Sequence, residues 1–179
     1  MHKRLLVVII AVVTAFLFSA CTDNAQVMDN FRHMVARTIQ GEIEAEIGNT
    51  YTTQWFDFTV EHIKRIDGYA NQVPQNGYML INVLITKRGT FYDTSPVPVG
   101  IFDFYMNSSA FEERIYPINP LSDYMMPREF NLFYNETVTF HMIYEVPKDV
   151  PDLTLVHTEW DETDRKGASF SISINLNEL

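Results

Sequence analysis

The sequence contains one cysteine, Cys21, so no disulfide can close within the chain and no cysteine-rich metal site can form. Basic residues are scarce. Thirteen Lys and Arg stand against 23 Asp and Glu, a formal net charge of −10. Phosphate binding needs clustered Lys and Arg, so this balance argues against a nucleic-acid partner. There is no internal repeat, no low-complexity tract and no Gly-x-Ser-x-Gly elbow of the kind that presents a catalytic serine. No Ser or Thr has a recognisable activating neighbour, and the chain is expected to be non-catalytic and cofactor-free. Only one apolar run is long: residues 5–18, broken only by Thr14. It falls short of the ~20 residues that span a bilayer.

What is present is an ordinary globular mixture, 46% hydrophobic, 13% aromatic and 20% charged over 179 residues. That composition excludes wholesale disorder and leaves room for one domain. The apolar run follows the basic His2, Lys3 and Arg4 and ends in Phe18-Ser19-Ala20-Cys21. A basic start, an apolar middle and small residues at the end describe a secretory signal, here residues 1–20. The small residues before cysteine resemble a bacterial lipobox, in which the thiol receives a diacylglycerol; Phe18 departs from the usual aliphatic. Cys21 is therefore the expected lipidation site and the only residue with an assigned role. Cleavage before it would remove Lys3 and Arg4 and no acid, making the body more acidic still. Such a body repels anionic headgroups, so the membrane contact would be the acyl group alone.

Residues 21–45 read as the lipidated cysteine and a tether. Val27, Phe31, Met34, Val35 and Ile39 fall near helical spacing, but a partly ordered linker is the favoured reading. Beyond it the periodicity becomes that of strands. Phe56, Phe58 and Val60 alternate with Asp57, Thr59 and Glu61; residues 78–86 are dense in Leu, Ile and Val, as in a strand covered on both faces. Further strands are expected at 97–105, 136–146, 153–160 and 168–176, with an irregular stretch between 106 and 135. Strands separated by turns, without crossover helices, indicate an all-β antiparallel sandwich over residues 46–179.

Gln54-Trp55-Phe56-Asp57-Phe58-Thr59-Val60, Gly77-Tyr78-Met79-Leu80-Ile81-Asn82-Val83-Leu84-Ile85, Tyr144-Glu145-Val146-Pro147 and Leu153-Thr154-Leu155 occur in that order behind the lipobox. This pattern resembles the immunoglobulin-like domain of unknown function found in lipoproteins of Gram-positive bacteria, often mislabelled as telomeric-repeat-binding factors. That domain is similar in fold to a secreted mycobacterial protective antigen. The resemblance covers roughly residues 46–176. It implies an immunoglobulin-like sandwich, lipid-anchored at the extracellular face of the cell membrane, and it carries no catalytic residues. A longer aromatic insert at about 111–134 departs from the pattern.

The implied role is a non-catalytic binding or structural module, its partner an envelope protein or peptide. The alternative is an accessory lipoprotein that binds metal or a small molecule. If strands 136–146 and 153–160 form a hairpin with Val146 facing Leu153, His141 faces Thr158, one residue from His157. A shift of one residue would then set two imidazoles side by side, with His62 or Glu159 as further ligands. The acidic turn at 161–164, with Asp161, Glu162 and Asp164, could hold calcium loosely; Ile172 occupies the twelfth position, where an EF-hand needs Glu. His33 falls in the tether. Asn107-Ser108-Ser109 and Asn135-Glu136-Thr137 match a glycosylation pattern by chance. The remaining feature is the concentration of Tyr105, Met106, Phe111, Tyr116, Tyr124, Met125, Met126, Phe130, Phe133 and Tyr134, with Arg114 and Arg128 nearby. Those residue types dominate recognition surfaces, yet the same side chains could instead complete the core as a flap.

Overall fold

The computed structural model describes residues 24–36, 41–90, 96–160 and 166–179. In chain order these form the helix α1 (Asn24–Ala36) and strands β1 (Gly41–Glu44), β2 (Thr50–Thr52), β3 (Phe56–Ile66), β4 (Tyr78–Gly89), β5 (Val97–Val99), β6 (Phe104–Ser108), β7 (Phe111–Ile115), β8 (Phe130–Leu132), β9 (Thr137–Pro147), β10 (Thr154–Trp160) and β11 (Lys166–Ser173). One sheet has the order β1-β11-β10-β6-β7 and the other β2-β3-β4-β9; β5 and β8 make a separate small ribbon. The pairs are antiparallel except β1 with β11, which run parallel. The architecture is an immunoglobulin-like β-sandwich, and β1 brings residues 41–44 into it ahead of position 46.

The core follows from alternation. Phe56, Phe58 and Val60 of β3 point inward and are nearly inaccessible. A bulge between Val60 and His62 then shifts the register, so that Ile63 also faces the core. On β4, Ile81, Val83 and Ile85 are fully buried against Phe58, Phe104, Met142, Tyr144 and Phe170. The opposite face of β4 is covered too: Leu80 packs with Ile143 and Met125 in a second, smaller cluster. A strand dense in aliphatics is thus sheathed on both sides, as its composition predicts.

Three expectations change. The favoured linker is instead helical over 24–36, carrying Val27, Phe31, Met34 and Val35; Ile39 lies outside the described residues. Met34 and Val35 remain exposed, and Arg32 reaches Asp57 of β3 at 3.5 Å. Next, β9 and β10 do not form a hairpin. β9 pairs with β4 and β10 with β6 and β11, so the connector at 148–153 crosses from one sheet to the other, burying Val150 and Leu153 on the way. Finally, the stretch 106–135 is not irregular throughout, since it contains β7, β8 and the end of β6.

Its remaining backbone seals the free edge of β9. His141 N–H donates to Tyr124 O at 2.9 Å and Met126 N–H to His141 O at 2.9 Å. Two glycines permit this close approach. A Cβ at Gly89 would lie 2.0 Å from Phe133 O, and one at Gly100 2.1 Å from Arg128 O.

Candidate functional site

The inner faces of the two sheets differ from end to end. Toward Pro147 and Leu153 they are apolar, lined by Met79, Val146, Leu155, Ile172 and Ile174. At the opposite end the inward positions of β4 and β10 carry Lys87, His157 and Glu159 instead. Lys87 is fully buried, and its ammonium forms an ion pair and hydrogen bond with Asp103 Oδ2. The nitrogen also lies 4.7 Å from the centre of the Phe56 ring and 5.3 Å from that of Phe104. Gly100 N–H donates to the same carboxylate oxygen at 3.0 Å.

His157 is clamped among rings. It stacks on Phe104 with centroids 4.8 Å apart and lies 5.6 Å from both Phe56 and Phe58. Its Nδ1–H donates to the main-chain oxygen of Asp103 at 2.8 Å. Burial pulls its pKa down to about 4, against a smaller upward pull from Asp103. The ring is therefore neutral near pH 7. Lys87 is likewise pushed below the usual lysine range by burial, with Asp103 acting the other way. Glu159, two residues beyond His157, accepts from Gln54 N–H at 2.6 Å, and burial raises its pKa. The cluster combines a buried amine, a carboxylate and a neutral imidazole.

This cluster had a sequence signal that alternation alone supplies. Lys87 has the same parity as Ile81, Val83 and Ile85, placing a lysine on the apolar face of β4. Asp103 had no such signal, because it sits in the short 3-10 helix Ile101–Asp103 before β6.

The two histidines of the alternative, metal-binding reading do not form a pair. His157 faces the inter-sheet core, whereas His141 lies on the outer face of the other sheet, its Nδ1–H donating to Asn82 Oδ1 at 2.9 Å. The guessed additional ligands divide between them. His62 shares a cross-strand row with His141, and Leu84 stands between the two imidazole-bearing positions in that row. Glu159 stays with His157. Among the described residues no three His, Cys, Asp or Glu side chains gather as a metal would need. Cys21 and the 161–164 turn lie outside the described residues, as does the side chain of His33.

The aromatic insert divides between core and surface. Met106, Met125 and Met126 are buried, and Phe130 packs against Phe140 at 5.4 Å. Tyr124 is 77% exposed and Phe133 56%. A coherent patch forms where the chain enters and leaves β6 and β7. Phe102 meets Tyr116 edge-on at 5.7 Å, Tyr116 meets Tyr105 at 6.0 Å, and the Arg114 guanidinium lies 4.3 Å over the Tyr105 ring. Phe102 and Tyr116 are both about half exposed.

No family model matches the chain, and no curated protein matches its sequence. Solved structures match its fold. MPT63, a secreted protein from Mycobacterium tuberculosis, aligns over 73% of this chain and 97% of its own, with TM-score 0.50 and 11% identity. The domain is similar in fold to MPT63. The yjhA protein of Bacillus subtilis gives TM-score 0.52 at 13% identity, over 72% of this chain and 98% of its own. A candidate lipoprotein of the same organism, ycdA, gives 0.57 at 13% identity over 74% of this chain. The chain spans about two fifths of the length of ycdA. The likeness to a secreted mycobacterial protein expected from the strand motifs is thus present at the level of the MPT63-like sandwich. Among the described residues no helix is long and apolar enough to cross a membrane.

Proposed function

We propose that the chain is a cell-surface lipoprotein, acylated at Cys21, whose sandwich serves as a non-catalytic binding module for an envelope protein. The observation that carries this reading is the half-exposed patch of Phe102 and Tyr116 beside Tyr105 and Arg114. Large rings with few rotatable bonds lose little conformational entropy on docking, and Tyr and Arg are the residue types that dominate protein interfaces. The likeness to ycdA and MPT63 supports an exported setting. Acyl chains would hold the domain at the extracellular face of the membrane while the acidic body keeps clear of anionic headgroups.

The test is photo-crosslinking on intact cells with full-length lipidated protein, comparing wild type with the double variant Phe102→Ser and Tyr116→Ser. A discrete partner captured by wild type and lost from the equally abundant variant supports the reading. Capture that is unchanged by the double substitution removes the patch from it. Metabolic labelling with an alkyne fatty acid checks the anchor: label incorporated by wild type and absent from Cys21→Ser is the expected result.

A further inference from the structure

A wholly buried lysine on one sheet held against a carboxylate on the other needs a reason, because an isolated buried ion pair contributes little to stability. Lys87 closes the inward row of β4, and Asp103 stands at the entry to β6 in the opposite sheet. Aromatic rings from both sheets, Phe56 and Phe104, cover the contact. Water is kept from the amine, whereas the Asp103 side chain retains 28% exposure and so leaves an exit.

We propose that Lys87 and Asp103 condense to an intramolecular isopeptide bond that fastens the two sheets to each other. The ammonium first passes a proton across the existing hydrogen bond, giving a neutral amine and a carboxylic acid. Loss of solvation on burial favours this exchange, and the depressed basicity of Lys87 agrees with it. Nζ then attacks Cγ of Asp103. The Nζ–Cγ bond forms, a proton moves from nitrogen to a carboxyl oxygen, the Cγ–O bond breaks, and one water leaves. Atoms and charge balance without any oxidant, cofactor or activated donor. Gly100 N–H, 3.0 Å from Oδ2, fixes the orientation of the carboxyl group toward the amine. His157 is a positioning residue: its Nδ1–H holds the main-chain oxygen of Asp103 while its ring packs on Phe104. Holding both reactants in one geometry supplies the high effective concentration that amide formation otherwise lacks in water.

Peptide mapping of the full-length protein by mass spectrometry decides the matter. The expected result is a branched species joining the segment around Lys87 to that around Asp103, lighter by one water than the two free peptides combined. Protease cleavage after Lys87 should be lost at the same time. Asp103→Ala should release both peptides in unlinked form. Lys87→Met, which keeps the buried volume and removes the nitrogen, provides a folded control that cannot link. His157→Phe should slow linkage, seen as a larger unlinked fraction early after synthesis. Recovery of only free peptides from correctly folded wild-type protein overturns the proposal, whatever the variants do.

Discussion

The two ends of the inter-sheet core use the same alternation to opposite effect. Near Leu153 the inward positions are apolar, and stability there comes from area removed from water. Near Lys87 the inward positions carry an amine, an imidazole and a carboxylate, each satisfied by a specific partner. The first end tolerates change in proportion to volume lost. The second depends on keeping every partner in place, because one unpaired charge costs more than a cavity.

Removing one charge from the polar end should therefore give the largest effect. Asp103→Ala leaves Lys87 buried without its partner and should cost about 4 kcal/mol in urea denaturation. At the apolar end Leu155→Ala should cost about 3 kcal/mol, the transfer and cavity terms together. If the two costs were equal, or in the reverse order, the distinction between the ends would fail.

Acid should weaken the polar end. The imidazole of His157 has a lower pKa folded than unfolded, so the unfolded chain takes up its proton first as pH falls. The stability linked to neutral His157 is complete above pH 6.5 and is lost progressively down to about pH 4, amounting to about 3 kcal/mol. Glu159 works in the opposite sense: its raised pKa lets the folded state bind a proton earlier, which offsets part of the loss. Thermal melts between pH 7 and 4 should show the decline in wild type and a flatter profile in His157→Phe.

Gly89→Ala tests the approach of the insert to β4. Its Cβ would collide with Phe133 O, forcing the backbone apart at a cost of about 2 kcal/mol, measured by chemical denaturation. Smallest of all should be Tyr116→Ser. A half-exposed ring outside the core should alter stability by no more than about 0.5 kcal/mol, while partner capture falls.

The two histidines show how much of this was legible beforehand. Along β9 His141 has the opposite parity to Met142 and Tyr144, and it faces away from the inter-sheet core. Alternation could not say which strand faces which. The short connector after Pro147 looks like a hairpin turn, yet it carries the chain between sheets because Val150 and Leu153 gain burial by crossing. Once β10 pairs with β6 and β11, His157 meets Asp103 and Phe104 rather than His141. The insert divides along the same line. Its aromatic content was plain, but whether Met126 or Tyr124 turns inward depends on the hydrogen bonds that dock its backbone against β9.

Local chemistry in the chain determined the all-β class and the inward rows of β3, β4 and β9. Side-chain period and turn composition act over a few residues and need no distant partner. Strand order, the crossing between sheets and the meeting of Lys87 with Asp103 were decided only by tertiary structure. Those depend on which buried surfaces fit across long loops, and many pairings satisfy the same local pattern.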